Sequence, residues 1–136
     1  MQYFGGKQRI ASDLVEILKA YRVSKTQLFF EPFLGGCNVV SRMDGRRAAS
    51  DANGYLIAMY RALQSGWLPP ENVTADEYAS AKAGKVDDPT RAFIGFGCSF
   101  AGKWFGGFAK SGQRNYATNA RNSLLRKAPG LQGVAL

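Results

Sequence analysis

Between Lys7 and Tyr21 the apolar side chains fall at Ile10, Leu14, Ile17, Leu18 and Tyr21. That three-to-four-residue spacing predicts a helix with one apolar stripe facing a core. Gln27-Leu28-Phe29-Phe30 is a short apolar run that reads as a buried strand, stopped by Pro32 and followed by a Gly35-Gly36 turn. Asn38 to Met43 reads as a short helix, and Ala48-Ala49-Ser50 as a weak strand ending at Asp51. Tyr55, Leu56, Met59, Tyr60 and Leu63 return to the helical spacing, closed near Gly66. Helix, strand, helix, strand, helix is the alternation of an α/β fold with a parallel sheet.

The second half differs. Pro69-Pro70 marks a connection, and Ala75 to Ala83 reads as a small polar helix. Asp88-Pro89 opens a segment rich in aromatics and glycine, helical at first and broken by Gly106-Gly107. Phe93, Phe96 and Phe100 are expected in the core, whereas Trp104, Phe105 and Phe108, beside Lys103 and Lys110, fit either a core or a nucleic-acid contact. Tyr116 to Lys127 reads as a last basic helix, stopped by Pro129-Gly130.

Charge sharpens the contrast between the halves. The 136 residues carry a net charge of +8, yet residues 90–136 hold seven basic and no acidic side chains. A basic tract interleaved with aromatics points to a polyanion partner. The chain has no His, which removes His-based acid–base catalysis and His-ligated metal sites. Its two Cys are too few for a disulfide framework or a four-Cys zinc site, so no metal is expected and both read as reduced thiols. No apolar run approaches the ~20 residues of a bilayer span, and no secretory leader is evident. A soluble cytoplasmic chain is expected, with no membrane partner.

Three short stretches carry the chemistry. Phe29-Phe30-Glu31-Pro32-Phe33-Leu34-Gly35-Gly36 runs from a strand into a glycine turn, the place where open α/β sheets bind ligands. Asp51, at the end of the next strand, is placed to accept hydrogen bonds from ribose hydroxyls. Tyr3-Phe4-Gly5-Gly6-Lys7 sets a cation beside a glycine loop and a helix start, a site suited to a carboxylate. Neither pyrophosphate loop, GxGxxG or GxxxxGK[ST], is present. The pattern fits a nucleoside without phosphates, such as S-adenosylmethionine.

Taken together, Tyr-Phe-Gly-Gly-Lys, Phe-Glu-Pro-Phe-Leu-Gly-Gly and Asp-Ala-Asn-Gly-Tyr-Leu resemble, in order and spacing, the N-terminal part of the Dam-like DNA adenine N6-methyltransferases of bacteria and their phages. The resemblance implies a Rossmann-like S-adenosylmethionine-dependent methyltransferase fold, incomplete here, with a mainly helical target-recognition segment. Residues 1–68 would form the cofactor-binding half and residues 69–136 the DNA-recognition segment. Tyr3, Gly5, Gly6, Lys7, Glu31, Pro32, Phe33, Gly35, Gly36 and Asp51 would contact the cofactor, with Lys7 near its carboxylate. Lys103, Lys110 and Arg114 would meet phosphates of double-stranded DNA, and Arg114, Asn115, Arg121 and Asn122 are the polar groups placed to reach base edges.

Two departures from the family pattern stand out. Cys37-Asn38 occupies the place of a further small residue after Gly36. The family's [Asp/Asn]-Pro-Pro-[Tyr/Phe] motif, which holds and activates the flipped adenine, has no counterpart, because the one Pro-Pro lies in Leu68-Pro69-Pro70-Glu71. The chain therefore reads as a truncated methyltransferase, inactive alone and prone to self-association through the sheet edge that truncation exposes. The alternative is a non-catalytic DNA-binding module or regulator that reuses the fold.

Overall fold

The computed structural model describes residues 1–112 and 114–136. Five helices and three short strands follow one another in the order α1 (Ala11–Tyr21), β1 (Phe29–Glu31), β2 (Arg47–Ala49), α2 (Gly54–Gln64), α3 (Ala75–Lys82), α4 (Asp88–Ala92), α5 (Tyr116–Leu131) and β3 (Val134–Ala135). The strands form a parallel sheet in the order β1-β2-β3, with Phe29 opposite Arg47 and Arg47 opposite Val134. A parallel sheet flanked by helices is the Rossmann-like arrangement that the resemblance implies.

Several boundaries depart from the sequence reading. α1 starts at Ala11 rather than Lys7, because Lys7 to Ile10 form turns. The stretch 38–43 yields only a 3-10 turn at Val40–Arg42. β3 is two residues long and has no sequence signal. α5 does not stop before Pro129 but carries that proline inside it and ends at Leu131. Pro129 sits in the last turn, and tertiary bonds hold the helix end beyond it. The Arg47 guanidinium donates to the carbonyls of Gly130 (2.7 Å) and Gln132 (2.8 Å), and Gln64 donates to those of Leu131 and Val134, both at 2.8 Å.

The main core draws on both halves of the chain, from Leu34, Val40 and Leu56 to Phe93, Leu124 and Leu131. α4 continues into a wide π-helical turn, Phe93–Gly97, in which every residue is buried. Gly95 lets the indole of Trp104 approach closely, since a Cβ there would lie 2.5 Å from the ring. Trp104 stacks on Tyr55 and packs against Phe96, while Phe105 and Phe108 pack against Tyr78. All three therefore belong to the core periphery. Phe100, expected in the core, is 53% exposed because the chain turns at Ala101 with φ of 53°.

A smaller cluster of Val15, Val39 and Met43 holds α1 with help from Leu14, Leu18 and Phe29. The expected stripe is therefore only half used. Ala11 and Val15 are the buried positions of α1, whereas Ile10, Ile17 and Tyr21 face outward. β1 is an edge strand, so Phe30 within it and Leu28 just before it are exposed where a buried run was expected. No helix among the described residues is long and apolar enough to cross a membrane.

Candidate cofactor site

β1 and β2 run in parallel register, Glu31 opposite Ala49, so their carboxyl ends lie side by side. The ladder continues past both strands, with Ser50 N–H donating to the Glu31 carbonyl and Leu34 N–H to the Ser50 carbonyl, each at 2.9 Å. The loop after β1 then folds over the end of β2. Gly35 N–H donates to Asp51 Oδ2 at 2.8 Å, and Asn53 N–H to Asp51 Oδ1 at 2.9 Å. Asn53 in turn caps α2 by accepting from Tyr55 and Leu56 N–H. Asp51 is thus the post to which both loops are tied.

Tyr60, fully buried on α2, donates its hydroxyl to the Gly35 carbonyl at 2.8 Å. Burial pushes that phenol well above its ordinary pKa, so it stays a donor. Gly35 has φ of +46°, and a Cβ there would sit 2.9 Å from the Tyr3 ring. Glycine is required at this position on both counts. Two residues on, Cys37 adopts φ of 53° although it is not glycine, a strain on the order of 1–2 kcal/mol accepted within a fully buried loop. Lys127 reaches from α5 to donate to the Gly36 carbonyl (2.6 Å) and to Asn38 Oδ1 (2.7 Å). Burial lowers the pKa of this lysine.

These loops enclose a cavity of about 260 Å³. Of the ten residues that the sequence singled out for the cofactor, nine line it: Tyr3, Gly5, Gly6 and Lys7 from the first loop, Glu31, Phe33, Gly35 and Gly36 from the second, and Asp51 from the third. Pro32 is exposed and does not line it, because it turns the chain out of β1. Leu34, Asn38 and Ala52 line the cavity without having been singled out. Asn38 lies two residues after Gly36 and could have been found from that position.

Glu31 is buried and accepts the Val40 N–H at 2.9 Å. Burial raises its pKa, while the Val40 N–H and the Lys7 charge pull it down. Phe33, 76% exposed, stands at the rim as a bare aromatic face. Cation, carboxylates and aromatic ring thus border one hollow. This donor set fits a nucleoside that bears hydroxyls and a carboxylate. The volume is a little below the roughly 300–1,000 Å³ of ligand pockets, and Tyr3 and Lys7 also border a wider adjoining cleft.

The thiols take no part in this polar surface. Cys37 and Cys98 are buried, and burial pushes both up to about 12. Neither is expected to react with a disulfide reagent such as dithionitrobenzoate in the folded protein. Both should titrate once guanidinium unfolds it, and fast native labelling would contradict the packing.

Of the residues expected to read DNA, Lys110, Arg114 and Asn115 border one hollow of about 370 Å³, whereas Lys103, Arg121 and Asn122 do not line it. Lys103, Lys110, Arg114 and Asn122 are exposed. Asn115 instead caps α5 through Thr118 N–H and donates to Asn72 Oδ1 at 2.6 Å. Arg121 Nε donates to the Pro69 carbonyl at 3.0 Å. Arg114 lies over the ring of Tyr116, 5.1 Å from its centroid.

The family model for D12 class N6 adenine-specific DNA methyltransferases matches residues 3–88, which span all three loops of the cavity. No curated protein matches the chain. The chain belongs to the D12 class N6 adenine-specific DNA methyltransferase family.

Proposed function

From that membership as premise, we propose that the cavity binds S-adenosylmethionine and that the chain serves site-specific N6-methylation of adenine in double-stranded DNA. The observation that carries this reading is the convergence of Lys7, Glu31, Gly35 and Asp51 on one hollow at the carboxyl ends of two parallel strands. The bound cofactor would supply a methyl group activated on a sulfonium. The chain's own residues hold it in place. Lys7 pairs with its carboxylate. Asp51, whose two oxygens each already accept one backbone N–H, offers its remaining lone pairs to the ribose hydroxyls. Phe33 presents a ring edge or face to the base. Residues 69–136 provide the DNA-recognition segment, to which Arg114 and Arg126 contribute exposed cations.

Within these 136 residues no [Asp/Asn]-Pro-Pro-[Tyr/Phe] motif occurs. An adenine amino group is a poor nucleophile, because its lone pair is delocalised into the ring. Acceptors for its two N–H bonds are needed to turn that lone pair towards the methyl group. The chain by itself is therefore expected to transfer methyl to DNA negligibly, while still binding the cofactor.

Calorimetry with S-adenosylhomocysteine tests the binding half of this reading. The wild-type chain should bind one equivalent, and Lys7→Ala should bind roughly tenfold more weakly, about 1.4 kcal/mol. Absence of any binding heat, with DNA binding retained, would instead favour a non-catalytic DNA-binding module. A radiolabel transfer assay tests the catalytic half, where robust turnover by the 136-residue chain would refute it.

A further inference from the structure

A second, larger cleft of about 950 Å³ adjoins the cofactor cavity and shares Tyr3, Gly5, Gly6, Lys7 and Asn38 with it. One wall is the first loop with Lys7 and Arg9. Arg114 and Ser123, from the start and the middle of the α5 region, border it as well. Gln8 and Ser123 also border a third hollow of about 270 Å³, which Arg42, Arg126 and Lys127 flank. The two hollows adjoin at Gln8 and Ser123, and this furrow is bordered by six basic side chains and, among the described residues, by no Asp or Glu. The two ion pairs among the described residues both converge on Asp44, from Arg22 and Lys25, so neither involves the furrow. Lys127 is committed to Gly36 and Asn38. Lys7, Arg9, Arg42, Arg114 and Arg126 are exposed.

We propose that this furrow between the first loop and α5 is the track for the phosphate backbone of the DNA strand presented to the cofactor. The inference deepens the DNA-methylation reading and rests on it. A row of exposed cations without counter-carboxylates binds a polyanion by releasing its condensed counterions. A strand lying there passes over the shared Tyr3–Lys7 wall, and so over the mouth of the cofactor cavity. Chemistry on a base requires that base to leave its stack and enter an active site, so the strand next to that mouth is the one able to deliver it. The track differs from the set chosen on sequence, of which it keeps only Arg114.

Fluorescence anisotropy of a labelled 20-base-pair duplex, titrated over a range of salt concentrations, tests the assignment. Arg9 and Arg126 are exposed, so the double variant Arg9→Gln, Arg126→Gln should keep the wild-type thermal melt. Its slope of log affinity against log salt should fall by about two, since each lost phosphate contact removes roughly 0.9. The companion variant Lys103→Gln, Lys110→Gln should leave the slope at its wild-type value. If the wild-type chain binds and the furrow variant keeps both affinity and slope, the track is wrong while DNA binding stands. If the wild-type chain does not bind the duplex at all, DNA recognition and the track fall together, and calorimetry still reports on the cofactor reading separately.

Discussion

Replacing Gly130 with alanine should destabilise the protein by about 2–3 kcal/mol, read as a lower denaturant midpoint at unchanged slope. Helix propensity alone predicts the opposite sign, because alanine in a helix is better than glycine by roughly 0.5–1 kcal/mol. Packing decides the outcome. A Cβ at Gly130 would lie 2.1 Å from the Ser41 carbonyl oxygen, which is main chain of the 3-10 turn and cannot swing aside as a side chain could. Either the turn or the end of α5 must shift. Both are fastened to the same guanidinium, since Arg47 also donates to the carbonyls of Val40 (3.2 Å) and Met43 (2.9 Å). Gly54→Ala is the control. It opens α2 with nothing within 4 Å of a new Cβ, so it should be neutral or slightly stabilising. Equal behaviour of the two variants would mean that α5 does not seat on the turn as described.

Asp51→Ala should weaken S-adenosylhomocysteine binding by roughly 10–100-fold, the value of one or two hydrogen bonds to a charged acceptor. It should also cost about 2 kcal/mol of stability, because the Gly35 and Asn53 N–H groups lose their acceptors. Asp51→Asn separates the two effects. An amide keeps the size of the side chain but presents only one oxygen, so it can hold one of the two loops and not both. Its stability should fall between wild type and alanine, and its binding should track that stability if Asp51 acts only as a post. A larger drop in binding than in stability would mark direct contact with the ligand. Unchanged binding in Asp51→Ala, measured by calorimetry, would overturn the placement of the cofactor.

How much of this was legible from the amino acids depended on range. The loop at Glu31–Gly36 and Asp51 could be read because each is a strand end followed at once by its turn or cap, and such signals are local. The joining of Lys7 to them rested on motif order, and the geometry places all three at one cavity. Long-range ties left no trace. Lys127 looks like one more cation on a basic helix, yet its partners lie 89 and 91 residues earlier. Pro129 reads as a helix stop, but Arg47 and Gln64, distant in sequence, hold the chain in helix beyond it. Periodicity found the apolar positions of α1 without saying what covers them, and Ile17 and Tyr21 prove to be exposed. The aromatics of 93–108 were ambiguous because packing and stacking on bases call for the same residue types. Their close mutual contacts resolve Trp104, Phe105 and Phe108 as packing.

The brevity of the strands has a consequence for how this domain breathes. Three strands of three, three and two residues supply few ladder bonds of their own, and the β3 edge of the sheet is tethered largely through Arg47 and Gln64. Resistance to amide hydrogen exchange, which follows the cost of local opening, should therefore peak in α2 and the wholly enclosed π-helical turn and decay towards the sheet. The expected order is the inverse of the usual hierarchy of an α/β protein, in which the slowest amides lie at the central strands.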